Sequence, residues 1–368
     1  MIFLIYGYLP MSNAKIVYRT IQHGLKKSMG ENLGKRQGNH LNVLSALVCG
    51  MLQTKSSQLE QIATGVPSRS KIQSQIMQFR RWLQNENVTY QVFYLPLIEK
   101  VLNVLSKDPI VLIIDGSETA KNCVTLMVSV AYKGRALPLM WVTREGKKGH
   151  FPQKMHIELI RAVQKIIPNG CDVVCLGDGE FDGTEWLQVL KDFGWKYVCR
   201  TAKNALCYEN GEEFAMRDIC PAQGECSLIE DVEFTAARNV KVNAVAYWGK
   251  EYKEPIYLVT NVETPEEAQF WYKKRFKIET LFSDLKGRGF GIDKSHLSNP
   301  KRVARLLIAV CIAYIWVVCL GVFSQNNGWD KIIHRTDRCD LSLFQLGKLL
   351  LHFFLRNEQP LPQFSLIL

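Results

Sequence analysis

The sequence predicts an α/β fold, and three observations carry that prediction. Apolar residues recur every three or four positions through roughly the first hundred residues, short strand-like apolar runs replace them from residue 109, and a strand-rich stretch interrupts the later alternation. The expected organisation is an all-helical N-terminal region at 1–107, a core in two parts at 108–200 and 263–325, a β-rich insertion at 201–262 between them, and a C-terminal helical region at 326–368 suited to dimerisation. At 368 residues the chain has room for more than one core. A hydrophobic fraction of 47% with 22% charged residues excludes the disordered and fibrous classes.

Charge separates these regions. Residues 1–107 carry 13 Lys and Arg against 4 Asp and Glu, a net +9, while 108–200, 201–262 and 263–368 carry +1, −4 and +5. A basic N-terminal segment on a near-neutral middle reads as the footprint of a polyanion, with nucleic acid first and an anionic membrane surface as its rival.

Eleven cysteines, several inside apolar runs and none in a CxxC pair, point to buried free thiols in a reducing compartment. The opening "MIFLIYGYLPM" lacks a basic region and a small-residue cleavage site, so no signal peptide is expected, and translation from Met11 is an alternative to Met1. The charge-free run "LLIAVCIAYIWVVCLGVF" (306–323) reaches the lower edge of a spanning length. Asn299-Pro300 before it, with Lys301, Arg302 and Arg305 at helical spacing, favours a core helix, and no membrane association is expected.

In chain order, "SQLEQIATGVPSRSKIQSQIMQFRRWL" (57–83) reads as a helix, a Gly-Val-Pro break and a second helix capped by Ser68 or Ser70. A helix pair around a tight turn, carrying Arg69, Lys71, Arg80 and Arg81, suits a DNA-reading element. "PIVLIIDGS" predicts a buried strand ending at Asp115, and "CVTLMVSVAYKGRALPLMWVT" a hairpin turning at Lys133-Gly134. A helix near 153–167 precedes "CDVVCLGD", a strand ending at Asp178. A helix near 183–193 and the strand "WKYVCR" complete a sheet of RNase H-like order. After the insertion, Thr264-Pro265-Glu266-Glu267 caps a long helix.

Taken as one continuous helix, "YKKRFKIETLFSDLK" (272–286) brings Tyr272, Arg275, Glu279 and Lys286 within roughly 60° of one another, with Phe270, Ile278, Leu281 and Leu285 opposite and free to pack on the sheet. Glu279 between cations could be a surface ion pair of little energetic value. Asp115 and Asp178, however, each close an apolar strand, where α/β proteins place ligands, and Glu279 supplies a third carboxylate. Hard oxygen donors without a His or Cys cluster suit Mg²⁺, with Mn²⁺ as substitute. Two such ions could activate a water or a 3′-hydroxyl and stabilise the leaving oxygen of a phosphodiester, while Tyr272, Arg275 and Lys286 hold phosphates.

Asp115, Asp178 and Glu279, with a β-rich insertion before the Glu, resemble the catalytic triad of bacterial insertion-sequence DDE transposases. The spacing Tyr-x2-Arg-x3-Glu-x6-Lys at 272, 275, 279 and 286 is similar to the YREK signature of their insertion-sequence-four family. The resemblance covers roughly residues 40–325. It implies an RNase H-like catalytic core, Mg²⁺ dependence, and binding of double-stranded DNA at the element's terminal inverted repeats and at a target. It further implies a homodimeric synaptic complex, strand cleavage and transfer, and a cytoplasmic, nucleoid-associated bacterial protein. Members can form hairpin intermediates and can stack a flipped base on an aromatic of the insertion, for which Trp248 is the candidate. The rival functions are a structure-specific metal-dependent nuclease and a non-catalytic DNA-binding regulator.

Other residues attract less weight. "LGDGEFDG" (176–183) begins like a calcium loop, but its twelfth position counted from Asp178 is Val189, so the loop cannot close around calcium. Glu180 and Asp182 are therefore expected to be surface or helix N-terminal acids. His150 and His156 lack a third nitrogen or sulfur ligand nearby, and "GRGFG" (287–291) lacks the setting of a phosphate loop.

Overall fold

A computed structural model of the protein describes residues 13–30, 33–147 and 150–363. The two alternative starts, Met1 and Met11, lie outside the described residues. In chain order the first helices are α1 (Asn13–Met29), α2 (Lys35–Thr54), α3 (Leu59–Thr64), α4 (Ile72–Gln84), α5 (Tyr90–Phe93) and α6 (Leu95–Leu105). Next come β1 (Ile110–Ala120), β2 (Cys123–Tyr132), β3 (Arg135–Glu145), α7 (Gln153–Gln164), β4 (Val173–Gly177), α8 (Thr184–Asp192) and β5 (Lys196–Arg200). The strand-rich stretch holds β6 (Leu206–Glu209), β7 (Glu212–Ala215), β8 (Cys226–Phe234), β9 (Lys241–Tyr247) and β10 (Ile256–Thr260). The chain continues with α9 (Pro265–Tyr272), α10 (Lys277–Leu285), α11 (Pro300–Asn326), α12 (Trp329–Ile333) and α13 (Leu343–Arg356). It divides into two compact units, one being Val101–Ser283 and the other the chain up to Lys100 together with that from Asp284 onward.

The Val101–Ser283 unit is built on one ten-stranded mixed sheet of order β3-β2-β1-β4-β5-β10-β9-β8-β6-β7. Its first half agrees with the sequence pattern. Ile110 to Ile114 are all buried, as expected of a strand covered on both faces, and β1 lies parallel to β4, itself parallel to β5. β2 and β3 form the expected hairpin, and positive φ at both Lys133 (43°) and Gly134 (76°) supplies the turn twist that antiparallel strands favour.

Two expectations are corrected here, the end of β1 and the unbroken run of the helix through 286. β1 does not end at Asp115 but runs on to Ala120, paired there with β2 alone. The strands of the 201–262 stretch extend the same sheet, because β10 pairs antiparallel with β5. Asn261 secures that junction, its amide oxygen accepting from Tyr197 N–H at 2.8 Å and its amide nitrogen donating to the Trp195 carbonyl at 3.0 Å, which covers an otherwise open strand edge. The helix expected to run unbroken through 286 is split between α9 and α10. Thr264 does cap α9 by accepting from Glu267 N–H, but Lys274, Arg275, Lys277 and Ile278 N–H each bond three residues back, a tighter turn that rotates α10 out of the α9 phase. Phe270, expected against the sheet, is consequently 55% exposed, whereas Ile278, Leu281 and Leu285 are buried as predicted.

The other unit is all helical among the described residues. Its centre is α11, capped by the Asn299 side chain with Pro300 behind it. The apolar window of this helix is 94% buried against the protein's own helices, in keeping with the core reading of residues 306–323. Gly347 of α13 is required there, because a Cβ would fall 1.8 Å from the Val317 carbonyl oxygen of α11. Arg305 of α11 donates to the Leu83 and Val88 carbonyls, satisfying the chain end of α4. α4 itself is not capped by Ser68 or Ser70: its N-cap is Lys71, without a side-chain bond.

Candidate active site

Parallel pairing of β1 and β4 places two of the expected acids together. Ile113 stands opposite Leu176, and two residues further along come Asp115, still within β1, and Asp178, just past the end of β4. β4 stops at Gly177 while β1 continues, leaving the acids where the ladder opens. They line one open cleft of about 270 Å³ together with Gly116, Ser117, Phe151 and Glu180.

The proximity is visible in the chemistry. Burial first, and then the negative charge of Asp178, push the Asp115 carboxyl up to about 7, with Glu279 adding in the same sense. The Gly116 N–H, donating to Asp115 Oδ1 at 2.7 Å, and the Arg275 guanidinium pull it down. Asp178 Oδ1 accepts from the Glu180 N–H at 2.9 Å, which folds the adjoining loop back over the strand end.

Glu279 lies within electrostatic reach of Asp115 but does not line that cleft. Its Oε1 accepts a 2.6 Å bond from Arg275 Nη2, and its side chain is 54% exposed against 7% for Arg275. Arg275 Nε–H is left without an acceptor. Tyr272 is buried, with Arg275 5.8 Å from its ring centre, and burial raises its hydroxyl above the usual range while Arg275 and Arg200 oppose. The tight turn at 273–276 therefore still gathers Tyr272, Arg275 and Glu279, although not along one continuous helix face. Among the described residues no three His, Cys, Asp or Glu side chains stand together as a ready-made ion site. The oxygen donors of Asp115 and Asp178 fit a hard divalent cation, whose charge would relieve their mutual repulsion, and Glu279, whose Oε1 is held by Arg275, could complete the set through Oε2.

The remaining expected contacts are dispersed. Lys286 directly succeeds α10, half-buried, and belongs to the helical unit. Trp248 is not part of a strand: it sits in the loop after β9, half-buried, its indole N–H donating to the Tyr252 carbonyl at 3.0 Å and its backbone N–H to Glu225. Arg80 on α4 is exposed and paired with Glu60 at 3.1 Å. Its neighbour Arg81 lines a polar cleft of about 570 Å³ with Asn39, Asn42, Gln78 and Asn85.

The structure also corrects the reading of Glu180, while Asp182 does stand at the N-terminal end of α8. Glu180 is not a surface acid: its side chain is 15% exposed, and its oxygens are taken up by Phe151 N–H (2.5 Å), His156 Nε2 (3.1 Å) and His150 Nδ1 (3.3 Å). Burial works against its charge, but these partners prevail and hold its carboxyl below the usual range. Asp182 accepts from the Thr201 hydroxyl at 2.7 Å, and burial raises its carboxyl. The two histidines singled out in the sequence thus converge on a carboxylate. The one local signal for this was their spacing, His at 150 and 156, ahead of an acid-rich loop.

Comparison with solved structures finds a similarity to a piggyBac transposase synaptic complex with hairpin DNA, at 11% identity and a TM-score of 0.45, covering 97% of this chain and 83% of that one. No curated protein matches the sequence. The model of the transposase DDE domain family matches residues 107–316, which takes in the whole Val101–Ser283 sheet and all three acids. That match spans more than half of the 368 residues, and the protein belongs to the transposase DDE domain family.

Proposed function

We propose that the protein is a DNA transposase of the insertion-sequence-four type, which binds the terminal inverted repeats of its own element and cuts and joins DNA at Asp115, Asp178 and Glu279. The observation that carries this proposal is the pair of acids brought to one cleft by adjacent parallel strands, Asp115 within β1 and Asp178 just past β4, with Glu279 in electrostatic reach, inside a chain of the DDE family. Strand order β3-β2-β1-β4-β5, antiparallel then parallel, supports an RNase H-like core.

Asp115 and Asp178 would hold Mg²⁺ or Mn²⁺, joined by Glu279. When bound, the cations polarise the scissile phosphate and make a water or 3′-hydroxyl nucleophilic at neutral pH. Arg275, buried and always charged, orients Glu279 and supplies positive charge beside the phosphate. Tyr272 and Lys286 are assigned to phosphate binding, and Trp248 to base stacking. Arg80 and Arg81, on the exposed face of α4 in the basic N-terminal region, are assigned to duplex binding. A synaptic homodimer and a nucleoid location belong to the same proposal.

Glu279→Gln tests it: cleavage of DNA carrying the element's own ends should disappear while end binding stays. Metal-dependent cutting that persists in this variant would sink the catalytic assignment. Supplying target DNA with pre-cut ends separates transposase from nuclease, since only the former joins them.

A further inference from the structure

Asp178 opens a loop whose shape depends on the residue two positions on. The Glu180 N–H binds the Asp178 carboxylate at 2.9 Å, and the Phe181 N–H bonds to the Asp178 carbonyl at 3.0 Å. The Glu180 side chain then turns the other way, and its Oε1 accepts from the Phe151 N–H at 2.5 Å and meets His156 Nε2 at 3.1 Å. His156 is 2% exposed on α7 and packs on the Phe181 ring at 4.6 Å and on Trp186 at 6.1 Å, so this end of the contact is anchored in the core.

Phe151 carries the connection onward to the other acid. Its ring lies so close to Gly116 that a Cβ there would stand 2.9 Å from it, and Gly116 is the residue whose N–H binds Asp115. The Arg144 guanidinium covers the same ring at 4.8 Å and bonds to the His150 carbonyl at 2.8 Å, fixing the segment from its far side. A continuous path therefore runs from the Asp178 loop through Glu180 and Phe151 to Gly116 and Asp115. Both Glu180 oxygens are engaged, Oε1 by Phe151 N–H and His156 and Oε2 by His150, which suits a brace between the two acids.

We propose that Glu180 is a positioning residue: through Phe151 it sets the spacing of Asp115 and Asp178, and with it the affinity of that pair for a divalent cation. The inference rests on the proposed role of those two acids. Carboxylates that orient a metal site from behind its ligands have the same physical effect, because ligand atoms held in place lose less freedom on binding.

Calorimetric titration of the purified full chain with Mn²⁺, alongside its melting temperature, tests this. Glu180→Ala should weaken Mn²⁺ binding by roughly 10–100-fold. Glu180→Gln should recover part of the loss, since the amide oxygen still accepts from Phe151 N–H beside His156, while the amide nitrogen takes the place of Oε2 opposite His150. A merely structural role would lower the melting temperature and leave the Mn²⁺ affinity of the folded protein unmoved. Should Glu180→Ala not fold, Glu180→Gln and Phe151→Leu carry the test, each with Mn²⁺ binding measurably weaker than in the wild type. Mn²⁺ binding that is abolished by Asp115→Asn yet unchanged in the Glu180 and Phe151 variants overturns the brace alone. A wild-type chain that binds no Mn²⁺ overturns the metal role of the acids and the brace with it.

Discussion

Arg275 and Glu279 share a 2.6 Å charge-assisted hydrogen bond whose two ends sit in unlike surroundings, the arginine 7% exposed and the glutamate 54%. The cation is enclosed and the carboxylate faces solvent, so Arg275 holds Oε1 while Oε2 is open to a ligand.

Removing Arg275 should uncouple positioning from folding. Arg275→Ala deletes a positive charge beside the proposed phosphate position, and loss of one such group typically costs roughly 10²–10³ in rate. Arg275→Lys should restore little, because a point charge lacks the planar fork. Single-turnover cleavage rates on end DNA check this, and a rate in Arg275→Ala close to that of the wild type would remove Arg275 from the site.

Asp115 predicts a pH-dependent stability in metal-free buffer. Its folded-state carboxyl sits at about 7 against an ordinary 3.8, so the folded protein holds the extra proton between those values. The contribution is therefore most favourable below about pH 4 and is lost as pH rises through about 7. In EDTA, Asp115→Asn should raise the melting temperature at pH 8 and change it little at pH 4. The gain has a ceiling of about 4 kcal/mol, which solvent screening reduces to roughly 1–2 kcal/mol. Equal melting shifts at both pH values would contradict the buried-acid account.

Duplex binding should respond to salt through the basic residues. Lys286→Ala, and separately Arg81→Ala, should each reduce the slope of log affinity against log salt by about one unit if each neutralises a phosphate. Fluorescence anisotropy with end DNA between low and moderate salt measures the slopes, and parallel lines for both variants would leave these two residues off the DNA.

The helical unit offers a test free of any functional assumption. Gly347→Ala forces a Cβ toward the Val317 carbonyl oxygen, which lies 1.8 Å from its ideal position, and α11 and α13 must move apart. A loss of about 1–3 kcal/mol in urea unfolding is expected, as for other overpacked cores. An unchanged midpoint would mean that the two helices do not pack this closely.

Much of this protein is settled by local patterns. The buried run Ile110–Ile114, the Lys133-Gly134 turn, the Thr264 cap and the apolar stretch of α11 are each written in neighbouring residues, because burial on both faces, positive φ and helix ends make local demands. Asp115 and Asp178 were legible for the same reason, each coming directly after an apolar strand run. Only the tertiary structure decided the relations between distant residues. That β10 seats against β5, making the strand-rich stretch part of one sheet, depends on a free strand edge that no local pattern encodes. That the chain tightens at 273–276, exposing Phe270 and turning Arg275 inward, depends on competition between helix geometry and packing. And that the Glu180 carboxylate is taken up by His156 and Phe151, 24 and 29 residues away, has no period to betray it because it is set by the docking of α7 on the sheet.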